Sequence, residues 1–162
     1  MERDGLTVRA ATREDLPRLG ELAESLVRLH HALDPLRFFL PERVAEGYRW
    51  WFGRELEDPD AVLLVATEGP GGEILGYAYG RVEAKDWNLL LDRHAALHDI
   101  LVDESARRRG VAEALIEAFV ARVRARGAPR VVLHTAVQNE RAQALFRKVG
   151  FRPTMVEMTL EV

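Results

Sequence analysis

Three consecutive arginines followed by a glycine are the most informative residues for chemistry: Arg107, Arg108, Arg109 and Gly110. They lie between residues 96–102, an apolar run typical of a strand, and residues 109–126, which have helical apolar periodicity. A helix N-terminus leaves N–H groups without partners and carries about half a positive charge, so it stabilises anionic oxygens. Gly110 and Ala112 keep larger side chains away from those N–H groups. These residues predict a phosphate-binding turn, with a solvated arginine cluster as the alternative.

A second informative segment begins at Asn139. Residues 139–151 read Asn-Glu-Arg-Ala-Gln-Ala-Leu-Phe-Arg-Lys-Val-Gly-Phe. They are similar to the Asn-x-x-Ala-x-x-Leu-Tyr-x-x-x-Gly-Phe segment of the GCN5-related N-acetyltransferase (GNAT) family. Residues 107–112 resemble the Arg/Gln-x-x-Gly-x-Gly/Ala signature of the same family. Because the two segments occur in the family's order, each on the expected strand–helix unit, the chain is identified by resemblance as a GNAT member over residues 96–152.

The resemblance implies an α/β fold and a binding site for acetyl-CoA as co-substrate. The fold would be a mixed central β-sheet flanked by helices, in which a splayed parallel pair of strands, residues 96–102 and 131–137, holds acetyl-CoA. Pantetheine would pair with the main chain of Ile100, Leu101 and Val102. The pyrophosphate would lie on Arg107, Arg108, Arg109, Gly110, Val111 and Ala112. Three further residues would lie beside the cofactor: Asn139, Ala142 and Phe146. For Asn139, the role of a plain helix N-cap is an equal alternative.

The implied reaction is direct attack of an acceptor amine on the thioester. An amine is protonated at neutral pH, so a base must take a proton before or during attack. His98 stands two residues before the segment that would grip pantetheine, and an unperturbed histidine pKa near 6.5 leaves the ring mostly neutral at pH 7. Strand alternation predicts that His98 shares a face with Ile100 and Val102, so only one of His98 and Asp99 faces the acceptor. His98 is the preferred base and Asp99 the second candidate, with a water-mediated base or Glu83 as the remaining alternatives.

One position departs from the family pattern. Many family members have a tyrosine that protonates the departing thiolate where this chain has Phe146, which cannot donate a proton. Three residues in the same region of the fold could substitute, although packing roles are the commoner explanation for each: Tyr77, Tyr79 and His134. The departure favours an alternative function, a sensor or regulatory module that binds acyl-CoA without turnover.

Histidines and carboxylates raise two further possibilities. His30-His31 and His94 with His98 resemble metal-ligand spacings, but four strand residues separate the latter pair by about 13 Å, too far for one ion. We therefore expect no metal. Acidic residues flank the predicted site and would suit a cationic amine, with a solvated loop as the alternative: Glu83, Asp86, Asp92 and Asp99.

Charge and composition argue against other classes of protein. The chain has 23 Lys and Arg against 26 Asp and Glu, a net charge of −3. A nucleic-acid-binding protein that used residues 107–130 as a recognition helix would carry a surplus of basic residues, and this chain has none. It has no cysteine, and its longest clean apolar run, residues 61–66, is far below the roughly 20 residues of a membrane span. We expect a cytoplasmic protein with no nucleic-acid or membrane partner, and a homodimer as its assembly.

Alternating strands and helices must position these residues within one acetyltransferase domain spanning residues 1–162. The pattern predicts a strand at residues 6–11, a leucine-striped helix ending before Pro35, a second helix from Pro41 to Asp58, and a hairpin of residues 61–67 and 74–83. Residues 84–93 are predicted as a loop, with a short helix as the alternative. A strand at 96–102, a helix at 109–126 and a strand at 131–137 would form a parallel crossover. A helix at 139–148 and a final strand at 153–162 complete the prediction.

Overall fold

One mixed β-sheet with helices on both faces organises the chain. The computed structural model describes residues 2–3 and 5–162, so Met1 and Asp4 of the predicted domain lie outside the described residues. In the described residues, six strands follow one another in the sheet in chain order: β1 Glu2–Arg3, β2 Leu6–Ala10, β3 Ala61–Glu68, β4 Ile74–Glu83, β5 His94–Val102 and β6 Val131–Leu133. The same residues include four α-helices: α1 Leu16–Leu33, α2 Val44–Glu55, α3 Val111–Ala125 and α4 Glu140–Lys148. This confirms the predicted fold class.

The two faces of the sheet bury separate apolar clusters. On one face the leucine stripe of α1 packs with α2, and the aromatic residues of α2 meet those of β4, with Phe52 5.7 Å from Tyr77 and 5.4 Å from Tyr79 between ring centroids. On the other face α3 covers the sheet with its buried apolar side, assisted by α4. Burial of apolar area of this kind is the main stabilising term in a fold. The aromatic residues Phe52, Tyr77 and Tyr79 are therefore core residues.

The parallel pair β5 and β6 separates after a short contact. β5 pairs with β6 only from Ala95 to Leu97, opposite Val131 to Leu133, while the other edge of β5 pairs with β4 as far as Val102. The edge of β5 at residues 100–102 is consequently unpaired on the β6 side. This is the splayed strand pair that the resemblance implied.

A β-bulge in β5 sets the orientation of the residues next to this gap. Tyr79 lies opposite Asp99 and Gly80 opposite Leu97, so His98 is the extra residue of β5. Gly80 allows the strands to approach at this point, because a Cβ built there would lie 2.2 Å from the carbonyl oxygen of Ala96 and 2.6 Å from the ring of Phe119.

Gly80→Ala is expected to lower the free energy of unfolding by about 2–3 kcal/mol, because backbone and a buried ring must both move to admit one methyl group. The matched control is Gly47→Ala in the exposed part of α2, where a Cβ would meet nothing within 4 Å. That change should be neutral or stabilise by up to about 1 kcal/mol. Urea denaturation of both variants measures the difference, and equal stabilities would contradict the close approach at Gly80.

Three predicted elements differ clearly from the structure. Residues 153–162 are exposed and pair with no strand in the described part of the chain, so the predicted final strand is wrong there. β6 ends at Leu133 rather than residue 137. α2 begins at Val44 rather than Pro41, because Arg43 has a left-handed backbone with φ of 56° that cannot continue a right-handed helix. The predicted loop at residues 84–93 is confirmed: it is closed by an isolated bridge between Asp86 and Leu91, and the alternative helix does not form.

Candidate active site

The arginine-rich turn has a backbone suited to an anion. Arg108 has φ of 63° and Gly110 has φ of 76°, both in the left-handed region, and α3 begins directly afterwards. The first helical bond runs from the N–H of Ala114 to the carbonyl of Gly110, and no side chain in the described part of the chain caps the helix. The preceding N–H groups of the first turn are therefore open to a ligand. A Cβ at Gly110 would meet nothing within 4 Å, so space exists for a phosphate group beside them.

The three arginines surround this turn on the surface. Arg107 binds Glu104 and Arg109 binds Glu68, each at 2.6 Å, whereas Arg108 is exposed. Exposed ion pairs of this type contribute little stability, so their arginines can exchange a carboxylate for a phosphate at small cost. The arginines of the turn are therefore available to an anion, because the ion pairs with Glu104 and Glu68 hold them only weakly.

Three residues that sequence reasoning missed hold the turn in place: Asp103, Ser105 and Arg18. The carboxylate of Asp103 accepts hydrogen bonds from the N–H and hydroxyl of Ser105, and Arg18 of α1 donates to it at 2.6 Å. The Ser105 bonds, with Arg18 adding to them, hold the pKa of Asp103 below its usual range. Asp followed two residues later by Ser is a sequence signal for such a turn, but nothing in the sequence indicates the long-range contact with Arg18.

The predicted cofactor residues outside the turn lie on β5 and at α4. Ile100, Leu101 and Val102 are half-buried along the open edge of β5. Asn139 caps α4 by accepting a hydrogen bond from the N–H of Ala142 at 3.1 Å, which is the plain capping role considered for it. Phe146 is only 7% exposed and packs edge-on against Phe151 within the buried cluster under α3.

The bulge places both candidate bases on the same side of the sheet. His98 stacks on Tyr79 with ring centroids 5.7 Å apart, and Asp99 accepts a hydrogen bond from the hydroxyl of Tyr77 at 3.2 Å. Both tyrosines belong to the cluster under α1 and α2. The prediction that His98 shares a face with Ile100 and Val102, opposite Asp99, is wrong because an extra residue in a strand interrupts its alternation.

Glu83 connects His98 to a second, buried histidine. Nε2 of His98 lies 2.9 Å from one carboxylate oxygen of Glu83, and Nε2 of His94 lies 3.4 Å from the other. Because a carboxylate only accepts, Nε2 of His98 carries the proton and Nδ1 of the neutral ring is left with a free electron pair. His98 is exposed, so this electron pair is accessible to an incoming amine.

Asp99 is held in a less polar environment than His98. Burial of its carboxyl group raises its pKa from 3.8 to about 6, although the hydrogen bond from Tyr77 and the proximity of His98 and His30 oppose the shift. The same enclosure raises the pKa of Tyr77 and of Tyr48, which face this carboxyl group. Asp99 therefore titrates near neutral pH, in the range useful for a general base.

This shift predicts how stability depends on pH. Because the pKa of Asp99 is higher in the folded state, the folded protein holds this proton more tightly, and stability is lost as pH rises from about 4 to about 6. Asp99→Asn removes that loss. The free energy of unfolding of the wild type relative to Asp99→Asn should fall by an amount of order 3 kcal/mol across this window and stay constant above it. Urea titrations of both proteins measure it, and parallel pH curves would contradict the assignment.

Tyr79 and Asp86, also considered from the sequence, have structural partners, whereas His134 is exposed. The hydroxyl of Tyr79 donates a hydrogen bond to Glu55 at 2.6 Å, and burial raises the pKa of Tyr79. Asp86 accepts hydrogen bonds from backbone N–H groups of its own loop. Among residues 2–3 and 5–162, no group of three or more His, Cys, Asp or Glu residues is arranged to bind a metal ion.

Comparison with known proteins decides the family. The family model described as "Acetyltransferase (GNAT) family" matches residues 24–151. The chain belongs to this family. The match includes β5, the arginine-rich turn and α4, which carry the site described above.

Relatives of this GNAT chain include two named acetyltransferases. It is 32% identical over 115 residues to a mycothiol acetyltransferase of Beutenbergia cavernae, covering 70% of this chain and 34% of that protein. It is 32% identical over 101 residues to the D-amino-acid N-acetyltransferase HPA3 of Saccharomyces cerevisiae, covering 61% of this chain and 62% of that protein. The GNAT chain thus spans between about one third and two thirds of the length of these relatives.

A solved structure with the same fold is that of the aminoglycoside acetyltransferase AAC(6')-Iy in complex with the bisubstrate analogue CoA-S-monomethyl-acetylneamine. It has a TM-score of 0.74 and 20% identity, and the match covers 97% of each chain. In the described part of this GNAT chain, no helix is long and apolar enough to cross a membrane.

Proposed function

We propose that the protein transfers an acetyl group from acetyl-CoA to a primary amine. The observation that carries the proposal is the unpaired edge of β5 at residues 100–102, which leads directly into the uncapped N-terminus of α3. An extended arm with amide groups fits the unpaired strand edge, and a pyrophosphate fits the uncapped helix N-terminus. The family membership of residues 24–151 supports the same co-substrate.

Main-chain groups of β5 would bind and orient the co-substrate. Pairing with Ile100, Leu101 and Val102 places an extended ligand between β5 and β6, and a backbone N–H there would polarise the thioester carbonyl. Such a donor is most effective when it is fixed before the reaction, as it is in a strand already held by β4.

His98 would accept the proton of the amine at Nδ1. The amine nitrogen bonds to the carbonyl carbon of the thioester, the carbon–sulfur bond breaks, and the sulfur leaves as a thiolate. Glu83, at 2.9 Å from Nε2, fixes the tautomer and stabilises the resulting imidazolium. Asp99 is the second candidate base, because it lies on the same side of the sheet and has a pKa of about 6.

The departing thiolate needs no dedicated acid in this scheme. A thiol has an unperturbed pKa near 8.5, so its thiolate leaves far more readily than an alkoxide and can take its proton from solvent. Phe146 is compatible with turnover for this reason. Its burial against Phe151 gives it a packing role beside the predicted cofactor site.

The acceptor side favours a small amine with a positive charge. A depression of about 300 Å³ is lined in part by Val44, Tyr48 and Trp51, and Trp51 contacts Tyr79, on which His98 stacks. Carboxylates of Glu83 and Asp99 lie on the same side of the sheet. The names of the yeast relative and of the aminoglycoside enzyme, both of which refer to amine acceptors, support this class of substrate.

The test is release of free CoA thiol from acetyl-CoA with a panel of amines comprising D- and L-amino acids, polyamines, aminoglycosides and a peptide with a free N-terminus. At least one primary amine should raise the rate well above hydrolysis without amine. The chain has no cysteine, so a thiol reagent detects only the product. Acetyl-CoA binding without turnover on any amine would overturn the proposal in favour of a sensor module.

A further inference from the structure

The depression beside α2 has walls that are mainly apolar. Its apolar lining comes from Pro41, Val44, Tyr48 and Trp51. Gly47 also lines it, and a Cβ built there would meet nothing within 4 Å, so the depression stays open at this residue. The rings of Tyr48 and Trp51 pack edge-on, with centroids 5.5 Å apart. Because ligand pockets range from roughly 300 to 1,000 Å³, a depression of about 300 Å³ between aromatic walls suits a single apolar group.

The two aromatic walls also connect the depression to the candidate bases. Trp51 meets Tyr79 with ring centroids 4.8 Å apart, and Tyr79 stacks on His98 at 5.7 Å. The hydroxyl of Tyr48 faces the carboxyl group of Asp99. A molecule in the depression can therefore place its reacting end beside the candidate bases and its other end against the apolar lining.

Negative charge is concentrated at the catalytic end of this path, where Glu83 and Asp99 lie beside the preferred base. Among the described residues that line the depression, Glu42 is the carboxylate, and it is exposed, so water screens its charge. Arg43, the other charged lining residue, pairs with Glu46 at 2.6 Å. A second ammonium group placed against the apolar walls would lose its water without gaining a partner, which costs free energy.

We propose that the acceptor is a primary amine with a single positive charge, carried by an apolar group of about one ring that binds in this depression. The inference rests on the proposed acetyl transfer and names its substrate class. Burial of the apolar group against Tyr48 and Trp51 stabilises the complex, while Glu83 and Asp99 attract the ammonium group to His98. Polyamines and aminoglycosides carry several ammonium groups, so they would place at least one against the apolar lining and are poor acceptors.

Steady-state release of CoA thiol from saturating acetyl-CoA, measured with amines of equal size, tests the charge requirement. Pentylamine and 1,4-diaminobutane have the same number of heavy atoms and differ in whether the far end is a methyl or an ammonium group. Pentylamine should have a kcat/KM at least about tenfold higher. From ethylamine to pentylamine, kcat/KM should rise roughly fourfold for each methylene that becomes buried. A ring should act in the same way, so 2-phenylethylamine should exceed ethylamine at least about tenfold.

Gly47→Leu tests where the apolar group binds. The new side chain would extend into the open space of the depression, so the ratio of kcat/KM for 2-phenylethylamine to kcat/KM for ethylamine should fall at least about tenfold. Arg49→Leu is the matched control, because Arg49 is exposed on the same helix and does not line the depression. Its ratio should stay within about threefold of the wild-type ratio. A general loss of folded enzyme cancels from the ratio, since both amines are measured on the same variant.

Three results would overturn the inference, and they separate it from the proposed function. Turnover of 1,4-diaminobutane at least as efficient as that of pentylamine would overturn the substrate class while acetyl transfer itself stands. An unchanged ratio in Gly47→Leu would place the apolar group outside the depression. Binding of acetyl-CoA without turnover on any amine would overturn the proposed function and this inference together.

Discussion

His98→Ala is expected to lower kcat/KM for amine acetylation by roughly a hundredfold. General bases contribute rate factors of this size, and His98 is the exposed histidine whose Nε2 is fixed by Glu83 at 2.9 Å. Since the ring of His98 lies on Tyr79 at the surface of the cluster, its loss should leave the free energy of unfolding nearly unchanged. Steady-state kinetics with saturating acetyl-CoA, together with a urea titration, measure the two effects separately.

Glu83→Gln and Asp99→Asn are the companion variants. The amide of Glu83→Gln can still accept from Nε2 but carries no charge, so a loss smaller than that of His98→Ala is expected. If His98 is the base, Asp99→Asn should retain most of the activity. The base would be Asp99 instead if His98→Ala kept full activity and Asp99→Asn lost it. In that case kcat/KM of the wild type should rise with pH near pH 6.

Gly110→Glu should abolish binding of acetyl-CoA. The φ of 76° and the open space beside this residue admit glycine and a ligand, and the new carboxylate would stand at the helix N-terminus where the pyrophosphate is proposed to bind. A ligand at a hundred times its Kd stabilises a folded protein by about 2.7 kcal/mol, which thermal unfolding detects as a raised Tm. The variant should show no such increase.

Gly127→Glu is the matched control for backbone strain. Gly127 follows the other end of α3 and also has φ of 76°, so both substitutions place a side chain in the left-handed region at a cost of about 1–3 kcal/mol. Only Gly110→Glu should also lose the increase in Tm with acetyl-CoA. A normal increase in Gly110→Glu would show that the co-substrate binds away from the turn.

Local signals in the sequence predicted much of this architecture. The leucine spacing of α1, the glycine-rich hairpin turn and the segments around Gly110 and Asn139 specify elements through residues close in the chain, and the structure has them. The position of Gly110 at the start of a helix could be predicted from the sequence, because helix starts and glycine conformations depend on the residue itself and its neighbours.

Features that depend on distant residues were not predictable in this way. The bulge at His98 depends on the register against β4 and on the space left by Gly80, so alternation counted along β5 alone assigned the wrong face. The bond between Arg18 and Asp103 joins residues 85 positions apart. Residues 153–162 have the residue pattern of a strand, but the pattern alone does not determine which sheet edge pairs with them.

The aromatic contacts of α2 give the protein an internal optical probe of its acceptor side. Of the three tryptophans, Trp50 and Trp87 are 66% and 76% exposed and should emit as indoles in water, whereas Trp51 is half-buried. Trp51 lies 4.8 Å from Tyr79 between ring centroids, and Tyr79 in turn stacks on His98. We therefore expect the short-wavelength part of the fluorescence to come from Trp51, two ring contacts away from the proposed base, and to report ligand binding there without a label.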